Sequence, residues 1–270
     1  MGRMQVKHDI TYDENRHLTL DAYHDGTQPF LGLIIDIHGG GWFRGDKSKD
    51  ADWATRLANL GYMVLVPNYR MTPDVYYPEP LADMASLMEW ISRSEYNQMP
   101  IGVVGSSAGG NMSVEMAIRY GIPAVSLSGI LDIDDWLEKH QDVVAAEGDT
   151  SGFNQQASST INQNGANDAF YKWFVMNYFN QRTDELTAAT PVHRVTSKTG
   201  PMYLANSLNE FVPTSGILTM ANALTNVGVP FELNMVPGTR HAKGYLDDVF
   251  DETVDFLKRH VLVEHVDLQH

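Results

Sequence analysis

Gly105-Ser106-Ser107-Ala108-Gly109 is the stretch on which the reading of this chain turns. It fits the pattern G-x-S-x-G. A short apolar run, Pro100 to Val104, precedes it, and a helix-compatible run, Gly110 to Tyr120, follows. Strand, sharp turn and helix together present a serine at the tip of a strained turn, its hydroxyl exposed above a helix N-terminus. The flanking glycines have a steric purpose. Side chains at Gly105 and Gly109 are expected to collide with the neighbouring strand and helix. The pattern also arises by chance, so it needs a second motif.

His38-Gly39-Gly40-Gly41-Trp42, after the apolar run Leu31 to Ile37, supplies one. Glycine is entropically costly to order, so three in succession after a buried strand imply a use for bare backbone. Beside a nucleophilic serine, that use is to offer N–H donors to a developing oxyanion. The expected donors are Gly40, Gly41 and Ala108, the residue after the serine. A phosphate-binding loop is the competing reading, but neither G-x-x-x-x-G-K-[ST] nor G-x-G-x-x-G is present.

The two motifs, in this order, resemble an α/β-hydrolase of the esterase and lipase group. His38-Gly39-Gly40-Gly41-Trp42 with Gly45-Asp46-Lys47, and Val66-Pro67-Asn68-Tyr69-Arg70, resemble bacterial carboxylesterases related to hormone-sensitive lipase and to the acetyl and feruloyl esterases. The resemblance implies a doubly wound, mostly parallel sheet. It also implies a general-base histidine in the loop after the last strand, where Pro237-Gly238-Thr239-Arg240-His241 stands. His241 is therefore the expected base for Ser107. The chain has ten histidines. His8, His17, His24 and His140 lack such a context, and His260, His265 and His270 lie in a terminal helix or tail. His38 is expected to orient the glycine loop.

The acid departs from the resemblance. Where the family carries aspartate in D-x-x-V-P, this chain reads Asn209-Glu210-Phe211-Val212-Pro213. An amide can orient an imidazole but cannot stabilise imidazolium by charge. In a serine protease the aspartate-to-asparagine change lowers kcat about 10⁴-fold. Glu210, one residue later and one methylene longer, is preferred as the acid. Asn209 itself, or Asp132 and Asp134 after the run Ala124 to Ser128, are the alternatives.

The 270 residues suit one α/β domain over 1–270. Short apolar runs read as strands: Leu31 to Ile37, Tyr62 to Val66, Ile101 to Val104, Ala124 to Ser128, Pro201 to Ala205 and Phe231 to Val236. Gln5 to Thr11 and His17 to His24 read as a leading hairpin. Helical segments alternate with the strands: Lys49 to Leu60, Pro80 to Ser92, Asn111 to Tyr120, Val212 to Asn226 and Leu246 to Arg259. The alternation breaks at about 133–190, too long for a loop and expected to form a cap. Its middle, Ala146 to Asp168, is polar and expected to be mobile. Its later part is aromatic, from Phe170-Tyr171-Lys172-Trp173-Phe174 to Tyr178-Phe179. These rings either anchor the cap or line a pocket. Trp42, Ser106 and Trp173 are the expected substrate contacts.

The chain has no cysteine and a net charge of −15. Disulfides and thiolate chemistry are thereby excluded, and nucleic-acid or anionic-membrane partners, which require basic patches, are disfavoured. No secretory h-region and no membrane-length apolar run is visible, so a cytoplasmic enzyme is expected. The expected partner is a small-molecule ester, with no cofactor or metal and with homo-oligomerisation left open. The leading reading is serine-dependent hydrolysis of short-chain or aromatic carboxylic esters through an acyl-enzyme. Arylformamidase or amidase activity on the same fold, or a catalytically weak binding protein, are the alternatives.

Overall fold

A computed structural model describes residues 4–27, 29–151 and 165–262. Its strands are β1 Met4–Asp13, β2 Leu18–Asp25, β3 Leu33–Ile37, β4 Met63–Pro67, β5 Ile101–Ser106, β6 Ala124–Leu127, β7 Met202–Ser207 and β8 Phe231–Val236. They form one sheet in the order β1-β2-β4-β3-β5-β6-β7-β8. β1 and β2 pair antiparallel, as do β2 and β4, and every later pairing is parallel. β3 and β4 are buried at every position because helices cover both faces.

The helices are α1 Ala51–Ala58, α2 Glu79–Arg93, α3 Ala108–Tyr120, α4 Asp134–Lys139, α5 Asp168–Tyr178, α6 Leu186–Ala189, α7 Ser215–Val227 and α8 Leu246–His260. Alternation along the strands divides the core into two layers. Leu33, Ile35 and Ile37 face the layer that holds α2, α3 and α7. Ile34 faces the layer that holds α1 and α8. The sheet is thus doubly wound, with the leading hairpin at one edge.

The expected strands and the five long helices are all present, with shifted ends. The first helix begins as a 3-10 turn, Lys47–Asp50, capped by Asp46 accepting from Ser48 N at 2.9 Å. α3 begins at Ala108 rather than Asn111, because Gly109 and Gly110 lie inside the helix. In α2, Leu81, Met84 and Met88 pack against the core at helical spacing. The fully buried positions of α2 are Pro80, Asp83, Met84, Leu87 and Ile91, with Asp83 held by Arg70.

α4, α5 and α6 lie in the insertion between β6 and β7. α5 buries Phe170, Tyr171, Phe174, Val175 and Tyr178, which share one helical face. Residues 152–164 of the stretch expected to be mobile lie outside the described residues, as do His265 and His270. Among the described residues no helix is long and apolar enough to cross a membrane.

Candidate active site

From β3 the chain moves to β4 on one side and then to β5 on the other. Such a reversal opens a crevice outside the carboxyl ends of the strands. Ile37 of β3 lies opposite Gly105 of β5, so residues 38–41 and Ser106–Ser107 emerge side by side. Ser128, Glu210 and His241 follow β6, β7 and β8 at the same edge.

Ser107 adopts φ 57° and ψ −118°, a conformation that L-residues avoid. Its N–H donates to Leu127 O at 2.8 Å, and its carbonyl accepts from Asn111 N at 3.0 Å. The turn also depends on missing side chains. A Cβ at Gly105 would lie 2.1 Å from Gly109 O, and one at Gly109 would lie 1.9 Å from Ile37 O. Both obstacles are backbone, so β3, the turn and α3 pack this closely only with glycine at both positions.

The glycine loop is as constrained. Gly40 has φ +127°, and a Cβ there would lie 1.9 Å from Arg44 O. Gly40 O accepts from the N–H groups of Phe43 and Arg44, each at 3.2 Å, which folds the loop into a tight turn. A Cβ at Gly39 would be 3.2 Å from the Cβ of Ser107, so this backbone runs directly beside the serine. Among the described residues the Gly40 and Gly41 N–H groups have no hydrogen-bond acceptor. Ala108 N opens α3, where a helix leaves its N–H groups without intrahelical partners. His38 Nδ1–H donates to Gly39 O at 2.8 Å, and its ring stacks on Tyr69 at 4.3 Å. Burial lowers the pKa of His38 and outweighs that hydrogen bond, so the ring that braces the loop is neutral.

Glu210 and His241 are both buried, and the Glu210 carboxylate accepts from His241 Nδ1 through Oε2. Glu210 Oε1 accepts from Ser128 Oγ at 2.7 Å and from Ser207 N at 2.9 Å. Ser128 Oγ also accepts from Ala242 N at 2.9 Å, next to the histidine, and contacts Tyr245 OH at 2.7 Å. One hydroxyl therefore ties the carboxylate to the histidine loop. Asn209 is exposed and bonds through its own N–H to Gly238 O at 3.0 Å. Asp132 is buried, and burial, then the charges of Asp135 and Asp134, raise its pKa. Asp134 pairs with His193 at 2.9 Å. Among the described residues none of these three bonds to His241.

Ser106, Ser107 and His241 open into one cavity. Its apolar wall includes Phe170 and Phe174 of α5 and Phe211, which packs on the His241 ring at 4.0 Å. Backbone donors, a hydroxyl and a carboxylate-bound imidazole thus converge on an apolar pocket, as in many ligand sites.

The sequence profile of a family described as alpha/beta hydrolase fold matches residues 34–243. The chain belongs to this family. Similar proteins include versiconal hemiacetal acetate esterase of Aspergillus parasiticus, 26% identical over 221 residues, covering 80% of this chain and 67% of that one. Carboxylesterase NlhH of Mycobacterium tuberculosis is 26% identical over 227 residues, with the same two coverages. An esterase of Gibberella moniliformis matches 74% of this chain and 60% of its own length at 26% identity. The chain thus spans about two thirds or less of these relatives. Among solved structures, a Pyrobaculum calidifontis esterase shares the fold with a TM-score of 0.71 at 20% identity, over 94% of this chain and 83% of that one. An acetyl ester-xyloside bifunctional hydrolase from Caldicellulosiruptor lactoaceticus does so with a TM-score of 0.67 at 22% identity, covering 90% and 86%.

Two expected contacts of this alpha/beta hydrolase lie off the cavity wall. Trp42 is fully buried. Its φ of 60° after the glycines turns the indole under α5, where it stacks on Tyr178 at 4.0 Å. Trp173 is half-buried and meets Phe43 edge-on at 5.0 Å. Sequence reading missed Phe43, Arg44, Lys49 and Lys243, which do line the cavity. It also missed Ser128, for which a polar residue at the end of β6 is the only signal. Lys243 is buried, with Nζ donating to Lys49 O at 2.8 Å, to Asp50 at 2.9 Å and to Asp52. Burial disfavours its charge, but Asp50 and Asp52 outweigh burial and push its pKa up to about 12.

Proposed function

We propose that this chain hydrolyses carboxylic esters with Ser107 as nucleophile, His241 as general base and acid, and Glu210 as the group that orients and charge-stabilises the histidine. The observation that carries the reading is the buried Glu210–His241 Nδ1 hydrogen bond beside a cavity that His241 shares with Ser107. A carboxylate only accepts, so it holds the proton on Nδ1 and leaves the Nε2 lone pair for the serine. Ser107 Oγ adds to the ester carbonyl while Nε2 takes its proton. The tetrahedral oxyanion meets the N–H groups of Gly40, Gly41 and Ala108, each worth about 3 kcal/mol in such sites. The C–O bond to the alcohol breaks, and the alcohol leaves with the proton from Nε2. Water then adds to the acyl-enzyme by the same route, releasing the acid and restoring Ser107.

The insertion acts as a cap in this reading. Phe170 and Phe174 bring aromatic surface to the pocket, while Tyr178 anchors the helix to Trp42. A compact aromatic pocket favours short or aromatic acyl groups. A para-nitrophenyl acyl series beside an N-formyl arylamine tests the proposal. Turnover should be greatest for short or aromatic esters and should fall toward palmitate. Faster cleavage of the formamide would reassign the chain as an amidase, and absence of any turnover would reject hydrolysis.

A further inference from the structure

Glu210 and Phe211 are neighbours in sequence, and His241 meets both. Glu210 accepts from Nδ1 at the edge of the imidazole, and the Phe211 ring lies against its face at 4.0 Å, tilted by 37°. The backbone that carries the two is anchored at either end. Asn209 N–H donates to Gly238 O at 3.0 Å, and Val212 O accepts from the buried Asn206 Nδ2 at 3.1 Å. The ring itself is held by the insertion. Phe170 and Phe174 of α5 meet it edge-to-face, at 5.5 Å and 70° and at 6.2 Å and 86°. Phe211 is buried by these contacts and wedged between the cap helix and the histidine.

Resting on the esterase reading above, we propose that Phe211 is a positioning residue. It fixes the plane of the His241 imidazole so that Nε2 points at Ser107 Oγ, and α5 holds it in that role. The χ2 torsion of a histidine is soft, with broad wells. One hydrogen bond at Nδ1 tolerates a tilt that carries Nε2, across the ring, away from the serine. A displacement of about 1 Å costs about 10²-fold in rate in such sites. A ring packed on the imidazole face blocks that tilt, which the carboxylate alone does not. The same contact strengthens when Ser107 gives up its proton, because an aromatic face within about 6 Å attracts the imidazolium that forms. Phe211 thus acts on proton transfer through His241, and the insertion supports the base as well as the pocket.

A double-mutant cycle with the histidine tests the proposal, read by steady-state hydrolysis of para-nitrophenyl acetate. Phe211→Leu keeps an apolar side chain and removes the ring. It should lower kcat by about tenfold and leave KM within about threefold of wild type. Phe211→Tyr keeps the ring and should restore kcat to within about threefold. In His241→Ala the oxyanion donors alone sustain a residual rate. Adding Phe211→Leu to that variant should change the residual kcat by less than about twofold, because the residue through which Phe211 acts is gone. A ring that served only the fold or the substrate would cost the same factor with or without the histidine. Phe211→Met gives the same comparison should the leucine variant not fold. A cost that persists undiminished in His241→Ala, a rise in KM with kcat unchanged, or a tyrosine variant no better than leucine overturns the proposal while leaving ester hydrolysis standing. Absence of turnover by the wild-type chain overturns ester hydrolysis, and this proposal with it.

Discussion

Replacing Glu210 by glutamine keeps the shape of the side chain and removes its charge, yet the surroundings dictate which way the amide must face. Ser207 N–H is a fixed donor 2.9 Å from Oε1, and Ser128 Oγ lies 2.7 Å from the same atom. The amide oxygen is therefore pinned at the Oε1 position, and the NH₂ group faces His241 Nδ1. Two donors cannot share one hydrogen bond, so the histidine must move its proton to Nε2. That tautomer cannot accept the proton of Ser107. The same error in a serine protease costs about 10⁴ in kcat, or about 5.5 kcal/mol of transition-state stabilisation. Steady-state hydrolysis of para-nitrophenyl acetate reads the effect, and a thermal melt shows whether the fold survives. A kcat for Glu210→Gln within tenfold of wild type would refute the reasoning. So would a strong gain from Asn209→Asp, which would mean that the enzyme runs without a carboxylate on His241.

Ser128→Ala removes a donor to the Glu210 carboxylate and leaves Ala242 N–H buried without an acceptor. Urea unfolding should show a loss of about 3 kcal/mol, and a loss under about 1 kcal/mol would contradict the bridging role. Gly109→Ala places a Cβ 1.9 Å from Ile37 O, a backbone atom that cannot yield. It should destabilise the chain by about 3 kcal/mol or more and abolish hydrolysis; a soluble, active variant would contradict the elbow geometry. Lys243 has a folded pKa of about 12, above the ordinary lysine value. Its stabilisation is complete below pH 10.5 and is lost as pH rises through about 12. Lys243→Met leaves Asp50 buried without its cation. Its melting temperature should lie well below that of wild type at pH 9, with the gap narrowing by pH 12, and a constant gap would contradict the ion-pair account.

The sheet was legible because its signal is local. Each buried strand is a short apolar run, and each helix carries its own period, so neither needs the rest of the chain to be recognised. The serine turn and the glycine loop were legible for a related reason: backbone that packs against backbone tolerates only glycine, and glycine stands out in a sequence. Glu210 could be inferred because only a carboxylate can hold imidazolium by charge, although Asn209 occupies the usual place. The direction of each side chain decides the pair, since Asn209 faces solvent and Glu210 faces inward. Trp42 misled for a similar reason. Its left-handed φ sends the ring into the core, and no residue pattern announces that turn. Ser128 and Phe211 were invisible because their significance lies in partners distant in the chain or in the shape of a cavity. Spacing along the sequence encodes neither.

Covalent labelling of the nucleophile tests the central claim most directly. A fluorophosphonate reacts with a serine only where a base activates the hydroxyl and backbone donors hold the developing oxyanion. Peptide mass spectrometry of the labelled wild-type chain should find one adduct, on Ser107, and the adduct should vanish in both Ser107→Ala and His241→Ala. An adduct on Ser106, or labelling of Ser107 that is undiminished in His241→Ala, would contradict the account.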